Sequence, residues 1–432
     1  MPNQSKTTIQ YLFSLPVIVA ALGYFVDIYD LLLFGIVRIP SLKSLGLNDE
    51  QVSSVGTSIL NWQMGGLLLG GIIWGVLGDK KGRLSVLFGS IITYSFANIL
   101  CGFIPEIGFM DKFLAYKILR FVAGIGLAGE LGAGITLVSE ILPTRVRAIA
   151  TSFVAGIGLF GAVVANFTVK LSDSWTTAYF VGGALGFMLL LLRVGVFESG
   201  MYKDVKERAI EKGNFMSFFT NRDRFVRYMK CIGIGLPTWF VIAILATFSN
   251  EFGAVFGIIE KVSPGDAIMW CYVGLALGDL SSGFFSHALH SRKKAVGWMM
   301  LFTLICSIIY LYSGVQSTTT LYTLCALLGF GIGYWAMFVT IGAEQFGTNL
   351  RATAATTVPN MVRGAVILMT TFYTGFKTGV LTIPFTEIKF PFIQTSLVTS
   401  GAIVGIVCFA LGFYSILTIS ETHGRDMDFL EE

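Results

Sequence analysis

Twelve apolar runs, most longer than twenty residues, divide this chain: 11–37, 51–78, 84–105, 113–141, 149–170, 176–197, 226–250, 266–288, 295–314, 319–343, 352–378 and 392–419. A helix rises about 1.5 Å per residue, so roughly twenty apolar residues cross the hydrocarbon core of a bilayer. No water reaches backbone N–H and C=O groups there, so each run must satisfy its own as a helix. The pattern predicts an all-α membrane protein with twelve transmembrane helices. Composition agrees: 13% of residues are charged and mean hydropathy is +0.74, against roughly 25% charged in soluble domains. Fifty glycines and 37 phenylalanines suit helices packed closely in lipid. A net charge of +4 gives no support for a nucleic-acid partner. The cysteines (Cys101, Cys231, Cys271, Cys306, Cys325 and Cys408) are scattered through apolar runs without CxxC spacing. No metal, redox role or cofactor is expected of them. The first run exceeds a signal-peptide core and lacks a clear cleavage site, so it is read as a helix that stays.

One long polar stretch, 198–225, interrupts the runs. It predicts an N-terminal six-helix bundle over 1–197, a cytoplasmic central loop over 198–225, and a C-terminal six-helix bundle with a short cytoplasmic tail over 226–432. Orientation follows from lysine and arginine, which accumulate in cytoplasmic loops. Lys80, Lys81, Arg83, Arg145, Arg147, Arg292, Lys293, Lys294 and Arg351 fall on one side with the central loop. Arg38, Lys43, Lys112, Lys170, Lys261 and Lys377 are among the fewer on the other. Both termini are therefore expected in the cytoplasm, with the chain in a bacterial inner membrane.

The halves repeat one another. Glu140 to Ala148 and Glu344 to Ala352 both read E-x-x-x-T-x-x-R-A, and 344 − 140 is 204. Gly66, Gly70 and Gly75 fall opposite Gly274, Gly278 and Gly283 at a shift of 208. Two matches at nearly one offset, in corresponding helices, point to duplication with pseudo-two-fold symmetry.

The loop after the second run reads Gly75-Val-Leu-Gly-Asp79-Lys-Lys-Gly-Arg83. It places a carboxylate beside basic groups at a helix end. It resembles the major facilitator signature G-x-x-x-D-x-x-G-R, and the resemblance extends over the whole chain. Arg120-Phe-Val-Ala-Gly124-Ile-Gly126 resembles that family's R-x-x-x-G-x-G element, and Glu421-Thr-His-Gly424-Arg425 its P-E-T-x-G-R tail, with Ser420 in place of proline. The resemblance implies alternating access, with Asp79, Arg83, Glu140 and Arg147 clamping the cytoplasmic ends and Glu344 and Arg351 as the second-half counterpart. His287 stands where the second-half aspartate would be, so the clamp is expected to be asymmetric. The antiporter pattern G-x-x-x-G-P is missing from the fifth run, where Gly156, Gly158 and Gly161 occur without proline. That favours uptake.

Charges inside the membrane are costly and mark function. Asp27 and Asp30 share one face of the first helix by their i, i+3 spacing. Arg120 and Glu130 lie in the fourth run, and Arg120 sits at a depth matching Asp30. An Asp30–Arg120 pair is expected, either coupling to protons or fixing helix packing. These four residues are the proton-coupling candidates. Arg363, near the midplane with no acid in its own helix, wants an anion: a substrate carboxylate or phosphate, or a structural partner such as Asp279. Asn360, Asp279, Tyr334, Trp335, Trp239, Asn61 and Gln63 are candidate substrate-binding residues beside it.

The stretch Gly23-Tyr-Phe-Val-Asp27-Ile-Tyr-Asp30 resembles the D-x-[YF]-D motif of the organic-anion proton symporters, the aromatic-acid, sialate and metabolite transporters. Asn360-Met-Val-Arg363 is similar to an N-x-x-R element found there, though the glycine expected two residues beyond the arginine is absent. Together these readings predict a secondary active transporter that is not an enzyme. It would import a small organic anion such as a carboxylate by proton symport, as a monomer in membrane lipid. The alternatives are a carrier of a polycarboxylate siderophore or other larger metabolite, an exporter, and, in a different class, a non-transporting membrane sensor.

Overall fold

The structure, a computed structural model, describes residues 8–81, 83–130, 142, 144–172, 174–198, 215–422 and 431. For 8–9, 78–81, 83–84, 144–152, 195–198, 348–349 and 352 it describes the backbone alone. The first half is built from α1 (Leu15–Ser44), α2 (Asp49–Lys81), α3 (Arg83–Gly102), α4 (Lys112–Leu127), α5 (Thr144–Leu171) and α6 (Trp175–Glu198). The second half comprises α7 (Arg222–Ala246), α8 (Pro264–Ala288), α9 (Arg292–Tyr312), α10 (Thr318–Glu344), α11 (Thr348–Thr378) and α12 (Leu397–Thr418). Ten of these are long and apolar enough to cross a membrane among the described residues. The other two are α4, whose predicted inner end lies outside the described residues, and α11, diluted by threonines, Asn360 and Arg363.

Helix starts follow local chemistry. The predicted central loop ends earlier than expected, because the Asn221 side chain accepts from Asp223 N (2.8 Å) and opens α7 at Arg222. Ser263, Ser291, Ser317 and Ser396 cap α8, α9, α10 and α12 in the same way, each satisfying one of the orphan N–H groups of a first turn.

The repeat is visible in the packing. Gly66 and Gly70 of α2 lie on the α4 backbone at Phe121 and Ile125, while Gly274 and Gly278 of α8 lie on α10 at Ala326 and Phe330. A Cβ at any of the four would collide with a main-chain carbonyl, so glycine is what lets these backbones touch.

Two helices are interrupted. α7 contains Pro237 and passes through a π-helical stretch, Val241–Ala246. α10 breaks between Thr318–Ile332 and Trp335–Glu344. The Asp279 carboxylate of α8 accepts from Ala336 N at 3.1 Å, capping the second segment where N–H groups are free and the helix dipole favours an anion. Beyond α11 the chain forms an antiparallel hairpin of β1 (Val380–Thr382) and β2 (Lys389–Pro391), where a plain loop was expected.

The two halves meet along α2 with α11 and α5 with α8. Near the α1–α2 turn this seam is polar. Lys170 of α5 pairs with Asp266 of α8 at 2.5 Å, and Asn166 donates to the same carboxylate at 2.9 Å. Ser53 of α2 and Lys377 of α11 both bond Glu251, each at 2.8 Å. Arg38 of α1, assigned by sequence to the outer helix end, is instead 1% exposed and bonds across the seam to Thr247 O at 2.9 Å. The halves are thus closed against each other at this end.

Candidate functional site

Deeper in the seam the halves line a narrow pocket whose empty space, part of it open to solvent, comes to about 260 Å³. Its walls are Tyr24 and Ile28 of α1, Leu159 of α5, Trp239 and its neighbours on α7, Tyr272 and Leu275 of α8, Trp335 of α10 and Arg363 of α11. Most of this surface is apolar or aromatic, and its cation is Arg363.

The Arg363 side chain is 1% exposed. Its Nη1 donates to Asn360 Oδ1 at 3.2 Å. Asn360 is oriented in turn by its own Nδ2, which donates to the carbonyl of Ala128, just past the end of α4, at 3.0 Å. The guanidinium carbon lies 5.9 Å from the Trp239 ring and 6.0 Å from the Trp335 ring, within reach of a cation–π attraction. Arg363 Nε and Trp239 Nε1 are both buried without an acceptor. Unsatisfied buried donors are costly, and two at one cavity want an acceptor-rich guest.

Of the residues singled out from sequence, Arg363, Asn360, Trp239 and Trp335 come together here. Four others are placed elsewhere. Asp279 does not meet Arg363, because it caps the broken α10. Tyr334 turns away to donate to the Ile234 carbonyl at 3.1 Å. Asn61 accepts from Thr370 across the seam at 2.5 Å. Gln63 bridges the Leu31 carbonyl (2.9 Å) and Arg120 Nε (3.2 Å) inside the first half. Tyr24 and Tyr272 line the cavity without a sequence signal to mark them, since a buried tyrosine in a helix reads as packing.

A second polar cluster fills the interior of the first half. Asp27, Asp30, Arg120 and Glu130 are all at most 2% exposed. Arg120 does reach Asp30, but through the main-chain carbonyl at 3.0 Å rather than the carboxylate. Its remaining donors go to Asn98 Oδ1 at 2.9 Å and Gln63. The expected carboxylate–guanidinium contact is therefore replaced by a cage of neutral acceptors. Both carboxylate oxygens of Asp27 are buried without a hydrogen bond. Glu130 is clasped at both oxygens by Arg193 of α6, with Nη1 to Oε2 at 3.0 Å. Arg193 was not singled out from sequence, although a lone arginine in the apolar run 176–197 was the same signal that marked Arg120.

The side chains of Asp79, Arg83, Glu140 and Arg147 lie outside the described residues. Glu344 pairs with Arg292 at the start of α9. Glu421 joins them, accepting from Ser291 Oγ and from Arg292 N and Lys293 N, the latter two at 3.3 Å. Glu344's described ion pair thus lies within the second half.

A bundle of bilayer-spanning helices with a buried cation in a cavity between its two halves defines a multi-pass membrane transporter. The chain belongs to the Major Facilitator Superfamily, whose profile matches residues 20–371. It is 24% identical over 370 residues to the niacin transporter of Acinetobacter baylyi, spanning 78% of this chain and 81% of that one. The gentisate transporter of Corynebacterium glutamicum is 24% identical over 350 residues, spanning 76% and 73%. Among solved structures, a D-xylose-proton symporter superposes with a TM-score of 0.67 at 15% identity, covering 97% of this chain and 100% of that one. At that identity the likeness concerns the fold alone.

Proposed function

We propose that this protein imports a small organic anion, a carboxylate, by proton symport across a bacterial inner membrane, with both termini in the cytoplasm. One observation carries the reading. A buried guanidinium with an unpaired donor faces an aromatic cavity between the two halves, where an alternating-access carrier loads its substrate. Guanidinium binds carboxylate through paired, charge-assisted hydrogen bonds. The rings of Trp239, Trp335, Tyr24 and Tyr272 supply flat apolar surface, which favours a planar, conjugated acid. Niacin and gentisate, for which two relatives are named, are acids of that kind.

Coupling follows from charge. Asp27 lies in the chain between Tyr24 and Ile28 of the cavity wall, and Arg363 is the cation whose field acts on it most strongly. When a substrate carboxylate occupies Arg363, Asp27 loses that countercharge, and a proton restores neutrality. Anion and proton then load together, and the neutral complex crosses at least electrostatic cost.

Uptake into proteoliposomes tests this. An imposed inward proton gradient drives accumulation of labelled nicotinate, gentisate or another member of a carboxylate panel. If no carboxylate in the panel accumulates, the reading fails. Asp27→Asn is expected to keep exchange and lose accumulation.

A further inference from the structure

The two copies of the repeat differ at one place beside the cavity. At the shift of 208, Gly71 of α2 falls opposite Asp279 of α8, and Ala128, just past α4, falls opposite Ala336 at the break in α10. In the second half the acid bridges the two helices by accepting from Ala336 N at 3.1 Å. In the first half glycine has no side chain to offer, and Asn360 enters the notch from the other half. A Cβ at Gly71 would stand 2.9 Å from the Cβ of Asn360 and 3.1 Å from its Nδ2. That Nδ2 donates to the Ala128 carbonyl at 3.0 Å, one of the groups a helix end leaves over.

Asn360, expected from sequence to bind substrate, has no donor left for an anion. Its Nδ2 serves the Ala128 carbonyl and, at 3.1 Å, the Thr356 carbonyl of its own helix. Its Oδ1 accepts from Arg363 Nη1 at 3.2 Å. Two carbonyls on one side and a guanidinium on the other fix which end of the amide is which. The side chain is 2% exposed and forms no part of the cavity wall. It stands three residues from Arg363 on the same face of α11. Its bonds therefore run from a main-chain group of the first half to the cation of the second.

We propose that Asn360 is a positioning residue that makes the aim of Arg363 depend on contact between the two halves. With the notch closed, Ala128 fixes the amide, and the amide fixes the guanidinium at the cavity. Parting the halves at the notch removes the carbonyl, frees the amide to turn, and leaves Arg363 without its guide. Anion affinity then falls as the carrier opens there, which is what release requires. By linkage, an anion on Arg363 favours the closed notch to the same degree. This rests on the anion-binding reading of Arg363 given above.

Gly71→Ala tests this from outside the cavity, because the three atoms nearest the added methyl all belong to Asn360. Affinities of the full-length protein for nicotinate and gentisate are read from ligand-dependent thermal shifts. Gly71→Ala and Asn360→Ala are each expected to bind about tenfold more weakly than wild type. The double variant Gly71→Ala/Asn360→Ala is expected to be no weaker than either, and to regain unfolding temperature over Gly71→Ala because the collision is gone. That separates lost positioning from lost stability. Wild-type affinity in Asn360→Ala, or additive losses in the double variant, overturns the proposal. If Gly71→Ala does not fold, Asn360→Ala decides. If neither acid shifts wild type, the anion reading fails, and a measurement without substrate decides this one. The Trp239 ring lies 5.9 Å from the Arg363 guanidinium carbon, so the fluorine resonance of 5-fluorotryptophan at Trp239 is expected to move in Asn360→Ala. Asn360→Ala is expected to leave it in place when added to Arg363→Gln. A resonance that does not move in the first case, or still moves in the second, overturns the proposal.

Discussion

Arg38 of the first half stacks on Phe248 of the second, its guanidinium carbon 4.5 Å from the ring centroid, and donates to the Thr247 carbonyl at 2.9 Å. The contact ties α1 to the end of the π-helical stretch of α7, and it exists only while the halves are closed at that end. Hydrogen bonds from charged groups contribute about 1.5–3 kcal/mol, so Arg38→Met is expected to shift the equilibrium toward the state open there by roughly tenfold or more. Labelling of Asn61→Cys, buried in the seam, by an impermeant maleimide added on the α1–α2 turn side measures this. An unchanged labelling rate would remove Arg38 from the gate.

Lys377, Glu251 and Ser53 form the neighbouring link, and the Lys377–Glu251 pair is only partly exposed. Lys377→Glu is expected to open the same end, and Lys377→Glu/Glu251→Lys to close it again. Because the pair sits near solvent, the coupling energy should be about 1 kcal/mol, read from a double-mutant cycle in the same labelling assay.

Arg363→Gln keeps length and polarity but removes the charge. Loss of a charge-assisted pair should weaken anion binding by about 10- to 100-fold, with little change in thermal stability. Arg363→Lys should restore only part of the affinity, because an ammonium lacks the planar fork. Ligand-dependent thermal shifts across the carboxylate panel give both numbers.

Gly66→Ala and Gly274→Ala occupy equivalent positions in the repeat. Each puts a methyl group into a main-chain carbonyl of the facing helix. Overpacking of this kind costs about 1–3 kcal/mol, so both variants should lower the unfolding temperature to similar extents. A loss confined to one of them would mean that the halves do not share this packing.

Much of the architecture was legible in the chain. Hydropathy located the spans, and the glycines at a shift of 208 anticipated the α2–α4 and α8–α10 contacts. Arg363 was legible because a charge deep in an apolar run stands out against its own helix. Its aromatic walls were less so. Trp239 and Trp335 were candidates, but Tyr24 and Tyr272 look like any buried aromatic until four helices bring them to one point. Arg38 was misplaced for a related reason: it sits near a helix end, where a charge is expected to reach water, and nothing local reveals that the other half covers it.

The sequence by itself determined where the long apolar helices lie, which of them carry buried charge, and that the halves repeat one glycine pattern. Those properties depend only on composition and helical period along one segment. The tertiary structure decided the partners. Arg120 took the Asp30 carbonyl rather than its carboxylate, Asp279 took the α10 break rather than Arg363, and Arg193 took Glu130. A partner is set by the rotation and depth of a neighbouring helix. Shifting register by one residue rotates a side chain by about 100° and moves it about 1.5 Å along the axis. That is enough to exchange one acid for another, and no pattern within a single helix encodes it.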